Sequence, residues 1–202
     1  MATGVLAELF RLKAADDEAL QGIHWEGQVR DGVLGQAPVR GQKRCLAEAC
    51  LGRHPTARGR RGSKAHWHGE EHGMPVGVVL VGANGHDRRL VSPTREAEVL
   101  RRPAPTAESP QNRCLDQGYD SRRVETALET HSYTPPIRRL GEEKVTDGEK
   151  THPARRWVVE RTIAWMTGFR AVRTRYFCKA QHYLAMIHLT CARILSRRLE
   201  TG

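Results

Sequence analysis

Hydrophobic and polar positions change period several times along the chain, and each change marks an element. Between residues 23 and 33, Ile23, Trp25, Gly27, Val29, Asp31 and Val33 alternate with His24, Glu26, Gln28, Arg30 and Gly32. A period of two predicts a strand with one buried face. Ahead of it, Val5, Leu6, Leu9, Phe10 and Leu12 form the apolar side of a helix predicted over residues 5–20. A second strand is predicted over 63–71. A third, PVGVVLVGA at 75–83, is a nearly continuous apolar run, as in a central strand covered on both faces. Residues 88–101 predict a helix and 103–112, PAPTAESPQN, a linker. CLDQGYD predicts a short fourth strand ending near Asp116, followed by a helix over 121–131, a fifth strand around 133–139 and a polar loop over 141–153. The helix predicted over 155–169 sets Glu160 among Trp157, Val158, Val159, Ile163, Ala164 and Trp165. Arg156, Glu160, Ala164 and Thr167 share one of its faces. A last helix, over 178–200, carries Leu184, Ile187, Cys191, Ile194 and Leu195 on one side and reads as a packing helix.

Three carboxylates stand out against this pattern. Asp31 falls on the apolar face of a strand, Asp116 ends one, and Glu160 sits in an apolar helix. A carboxylate in such a place is costly unless it is paired, hydrogen-bonded or holding a metal. Periodicity alone favours ordinary acids paired with nearby arginines.

Charge alters the picture. The chain has 202 residues and a formal charge of +10. The excess is clustered: residues 36–67 hold eight Lys/Arg against one acid, and 155–179 hold seven against one. Such stripes point to an anionic partner, most often nucleic acid. The Gly-, Pro- and Arg-rich stretch 35–62 reads as a long basic loop. No stretch is long enough to span a membrane, and MATGVLAELF does not read as a signal peptide. The five cysteines form no CxxC pair and read as reduced intracellular thiols. His66, His68, Glu70 and His72 alternate on one strand face, where His66 and His68 could share a zinc ion, but a solvated face is the simpler reading. Cys45 and Cys50 are too loosely spaced for a zinc knuckle. Trp157 and Trp165 read as core residues.

The three acids also sit in recognisable surroundings. RRWVVERTIAWMTGFRAVRTRYF, 155–177, resembles the segment around the catalytic glutamate of the DDE transposases of bacterial insertion sequences, of the insertion-sequence-five type. Arg156 and Glu160 keep that family's spacing of an Arg four before the Glu. LDQGYDSRR resembles the second-aspartate motif and matches Asp116 to it. Residues 52–87 resemble the stretch between the first and second acids, and VRDGVL fits Asp31 to the first aspartate. The chain departs from the family pattern at Pro153, Thr167 and Ala57, where that family usually has Tyr, Lys and Asp. About thirty residues precede Asp31, fewer than the family's N-terminal helix-turn-helix region needs, so an N-terminally truncated member is expected.

The resemblance implies an α/β, RNase H-like fold with a mixed five-stranded sheet flanked by helices. Residues 1–20 would be a short N-terminal helix, the remnant of the DNA-binding region. Residues 21–177 would be the catalytic domain, including the basic loop 35–62, and 178–202 the C-terminal packing helix. It implies a DNA transposase activity, with strand cleavage at transposon ends and strand transfer into target DNA. Asp31, Asp116 and Glu160 would bind two Mg²⁺ (or Mn²⁺) ions, and Arg156 would orient Glu160 or contact a phosphate. Double-stranded DNA would be held by Arg58, Arg60, Arg61, Lys64, Arg155, Arg170, Arg173 and Arg175. A homodimer is left open, no membrane association is expected, and the location would be the bacterial cytoplasm at the nucleoid. The second reading is a catalytically inactive remnant that binds DNA through the same basic segments.

Overall fold

The computed structural model describes residues 2–37, 50–56, 60–106, 109, 111–114 and 156–201. Five helices and a mixed sheet make up this part. Helix α1 is Ala2–Leu20, α2 is Val91–Glu96, α3 is Arg156–Gly168, α4 is Arg170–Arg173 and α5 is Ala180–Thr201. The strands are β1 (Gly27–Gln36), β2 (Gly52–Arg53), β3 (Arg61–Gly69), β4 (Pro75–Gly82) and β5 (Asn112–Cys114). β1 runs antiparallel to β3, and β3 antiparallel to β4, whereas β5 runs parallel to β1. The two-residue β2 pairs with the start of β3, inside the stretch expected to be loop. The expected helix over 121–131 and fifth strand around 133–139 lie outside the described residues.

Register sorts the side chains onto two faces. Asp31 pairs with Trp67 and Val33 with Ala65, so these share a face with Val29. That face joins Phe10 and Ala14 of α1, Val158 and Met166 of α3, Val172 of α4 and Tyr183, Ile187, Cys191 and Leu195 of α5 in one buried cluster. The α3 helix covers the sheet because Val158, Thr162 and Met166 recur every four residues, and all three are buried.

The opposite face was expected to meet solvent and does not. Gln28 and Arg30 of β1 and His66 and His68 of β3 are buried there. Arg30 donates to the Val91 carbonyl and lies 3.3 Å from the Glu98 carboxylate. The His68 Nδ1 is 2.9 Å from the same carboxylate, and the His66 Nδ1 is 2.6 Å from the Thr94 hydroxyl. α2 and the chain just after it therefore cover this face. The helix expected over 88–101 is shorter than that: a 3₁₀ turn at Asp87–Arg89 precedes the six-residue α2. Pro93 sits in the first turn of α2, where a missing N–H is tolerated.

The strand order also corrects the expected centre of the sheet. β3 is the strand buried on both faces, although its sequence is full of His and Lys. β4, the apolar run, pairs along its length with β3 alone among the described strands. Its far edge is met by an isolated bridge between Gly77 and Glu98 and by the Val99 N–H, 2.9 Å from the Val76 carbonyl. Among the described residues, no helix is long and apolar enough to cross a membrane.

Candidate catalytic face

Asp31 keeps the position its alternation predicts. It lies mid-strand on the helix-covered face, half-buried, with its Oδ1 accepting the Gly32 N–H at 2.6 Å. Glu160 lies on α3, on the same side of the sheet, and is exposed. The buried stripe of α3 runs through Val158, Thr162 and Met166, so Glu160 faces away from it. The helix is apolar around Glu160, as expected, yet Glu160 itself stands outside the packed stripe.

α3 is held to the sheet at its turn of contact with the β3–β4 loop. The Thr162 hydroxyl donates to the Gly73 carbonyl at 2.9 Å, and Arg161 donates to the His72 carbonyl at 2.5 Å. Gly73 has φ +77°, and a Cβ there would stand 2.3 Å from the Thr162 Oγ1, so glycine is required for this approach. The Arg161 guanidinium lies between the Trp157 ring at 4.6 Å and the Trp165 ring at 4.7 Å. Trp157 is 58% exposed, which corrects its reading as a core residue. Flanking the buried stripe one residue before Val158, it packs on a guanidinium instead of on the sheet.

β5 brings the second acid's segment to β1. Cys114 is the register partner of Val29. Asp116 follows Cys114 by two positions, as Asp31 follows Val29. Asp116 itself, Arg58 and Arg155 lie outside the described residues, and of Arg156 only the backbone is described.

The expected DNA-binding side chains divide. Arg60, Arg170 and Arg173 are exposed and Arg61 is half-buried. Arg60 donates to the Gln36 side chain at 3.2 Å, and Arg170 to the Tyr176 hydroxyl at 3.1 Å. Two residues are corrected. Arg175 is 3% exposed and donates to the carbonyls of Phe177, Cys50 and Cys178 and to the Ser63 hydroxyl. It is an internal clamp, because its strand-like segment turns it beneath α5. Lys64 is buried on the α2 side of the sheet, where its ammonium meets both Asp87 oxygens at 2.9 and 2.8 Å and the Gly85 carbonyl at 2.8 Å.

The histidine-rich strand is likewise not solvated: His66, His68 and Glu70 are fully buried. Burial, with Arg30 and Lys64 nearby, pushes the His66 pKa down to about 3, so this imidazole is neutral. Nor are all thiols reduced, since Cys178 is disulfide-bonded while Cys50 and Cys191 are free.

Sequence reasoning missed two buried ionic groups. One is Arg30 with Glu98 and His68. The other joins Asp17 of α1 to Arg198 of α5 at 3.1 Å, with Glu70 at 3.5 Å from the same guanidinium. Arg30 and His68 were visible on one strand face each, but nothing local to them announced the covering chain.

A mixed sheet whose first strand carries an aspartate, backed by a helix carrying a glutamate, makes this an α/β domain consistent with an RNase H-like fold. Residues 38–195 match the transposase DDE domain family, and the chain belongs to it. The matched segment contains Asp116 and Glu160 and begins after Asp31. The chain is also 34% identical over 145 residues to a protein of Burkholderia cepacia described as "Putative transposase for insertion sequence element IS402", covering 71% of this chain and 67% of that protein. No solved structure matches the chain.

Proposed function

We propose that this chain is the catalytic part of an insertion-sequence transposase, in which Asp31, Asp116 and Glu160 act together on a DNA phosphodiester. One observation carries the reading: β1 and β5 run parallel in a register that stops two positions short of both aspartates. In this reading the third carboxylate is Glu160, carried by the helix packed over β1 but exposed and turned away from that helix's buried stripe. Three carboxylates offer oxygen donors only, which suits Mg²⁺ or Mn²⁺ and not a softer ion. Asp31 fits this role in that one of its oxygens is held by the Gly32 N–H, fixing the other.

When bound, a pair of such ions would supply Lewis acidity at the attacking and leaving oxygens of an in-line displacement. The chain's own groups would do the positioning. Asp31, Asp116 and Glu160 would hold the ions, and Arg156 would orient Glu160 or contact a phosphate. Arg60, Arg61, Arg170 and Arg173 hold the DNA backbone, with arginine forks matched to phosphate oxygens. Water first cleaves at the element's end, and the 3′-hydroxyl so released then attacks target DNA.

The test is nicking of a plasmid carrying the DNA ends that flank this gene, with Mg²⁺ or Mn²⁺. Asp31→Asn, Asp116→Asn and Glu160→Gln are each expected to lower the rate at least about 100-fold, as removal of a single charge-stabilising group does. Equal activity in Asp31→Asn would remove Asp31 from the site. Binding without any metal-dependent cleavage would leave the inactive DNA-binding reading in its place.

A further inference from the structure

This basic chain has an acidic corner apart from the face described above. His24 and Glu26 precede β1, and Glu71 lies on the β3–β4 turn. One ligand atom from each stands within 4.8 Å of the others. The backbone fixes the two segments together, because the Glu71 N–H donates to the His24 carbonyl at 3.2 Å. A second imidazole stands against the first, the His24 and His72 rings meeting edge to face with centroids 4.9 Å apart.

His72 is oriented from behind. Its Nδ1 lies 3.2 Å from the Glu70 Oε2, and the Glu70 Oε1 accepts the N–H groups of His72 at 2.9 Å and Met74 at 3.3 Å. Glu70 is fully buried, so this arrangement is rigid. A carboxylate behind one ring nitrogen fixes the imidazole tautomer and leaves Nε2 as the ligand atom, as in the outer shell of metal-binding histidines. Glu26 accepts the Ser109 hydroxyl at 3.1 Å through Oε1, so its Oε2 is the oxygen to consider.

We propose that His24, Glu26, Glu71 and His72 form a mixed nitrogen–oxygen site for a divalent cation of the zinc class. Two imidazoles and two carboxylates suit zinc, whereas magnesium takes oxygen ligands almost alone. Ligand atoms around a tetrahedral zinc at about 2.0–2.1 Å stand roughly 3.4 Å apart. His24 and Glu26 have exposed side chains, so closing onto an ion would require them to turn inward without opening the core. The ion would tie the start of β1 to the turn that seats α3, since Arg161 and Thr162 donate to the carbonyls of His72 and Gly73.

The experiment uses the full chain with Asp31→Asn and Glu160→Gln, so that ions at the catalytic face are suppressed. Zinc is titrated by calorimetry, and cobalt is added as a spectroscopic probe of ligand geometry. The expected result is one zinc per chain, cobalt bands of a tetrahedral ion, and a thermal midpoint that rises with zinc. His24→Ala and Glu71→Gln, added in turn, should each weaken zinc about 10- to 100-fold, while millimolar magnesium should not compete. Unchanged zinc affinity in both variants, absence of binding, or displacement by magnesium would each overturn the proposal. If His24→Ala fails to fold, Glu26→Gln, at an exposed side chain, carries the same test.

Discussion

Arg30 and Asp31 are neighbours on β1 that point to opposite faces, and each is a charge in buried surroundings. Arg30 is 1% exposed. It is tolerated because the Val91 carbonyl and the Glu98 carboxylate take its donors, with His68 and Arg102 also near Glu98, at 2.9 and 4.0 Å. Removing one partner of a buried ionic group leaves the other uncompensated, which costs about 3–5 kcal/mol. Arg30→Met should therefore destabilise the fold by about that much in urea denaturation, although methionine is as apolar as the site is buried. A loss under about 1 kcal/mol would mean that His68 and Arg102 alone suffice for Glu98. The sequence showed Arg30 and Asp31 on opposite faces correctly. It did not show what covers Arg30, because a period of two says which side chains share a face and nothing about the element laid over it. Trp157 failed for the complementary reason: an apolar residue type was taken for burial, while its phase on α3 puts it beside the buried stripe.

At the scale of elements, long periodic segments were legible and their partners were not. α1, α3 and α5 lie within a few residues of their predicted spans, because an apolar stripe at helical spacing has few other solutions. The prediction of β4 as the central strand failed because an apolar run reports burial and not strand order. The joint between α1 and α5 could not be read at all, since Asp17 and Arg198 are at opposite ends of the chain. That joint makes a pH prediction. Burial pushes the Asp17 pKa up to about 6; Arg198 and His72 oppose the shift and Glu70 adds to it. An unfolded aspartate titrates near 3.9, so between about pH 4 and 6 the folded state binds the extra proton. Asp17's contribution to stability thus improves as pH falls through this window and worsens as pH rises through it. The stability of the wild type relative to Asp17→Asn should increase from pH 7 to pH 5, measured by denaturant unfolding. Taking the difference between the two proteins cancels His66, whose lowered pKa works in the opposite direction. A difference that stays constant between pH 4.5 and 7 would show that Arg198 holds Asp17 ionised throughout.

For the whole molecule, the formal charge of +10 was the first pointer to a polyanion, and the basic side chains named so far among the described residues fall into two populations. Arg30, Lys64, Arg175 and Arg198 are bound internally and hold elements together. Arg60, Arg170 and Arg173 are exposed, with Arg61 half-buried. The number of basic residues therefore overstates the cations that DNA would meet, and the salt dependence of binding measures those that remain. If these four arginines each neutralise one phosphate, log K should fall against log salt with a slope of about −3.6, from about −0.9 per phosphate. Arg60→Ala with Arg173→Ala should bring the slope to about −1.8 and weaken binding to the same degree on any sequence, because phosphate contacts carry no base information. Arg175→Ala should act otherwise: it removes hydrogen bonds to Phe177, Cys50, Cys178 and Ser63, so it should lower thermal stability and leave the slope of the protein that remains folded unchanged. Fluorescence anisotropy over a range of potassium chloride concentrations separates the two. A slope that the double variant leaves in place would assign DNA binding to other basic segments, and a slope lowered by Arg175→Ala would mean that this buried guanidinium reaches phosphate after all.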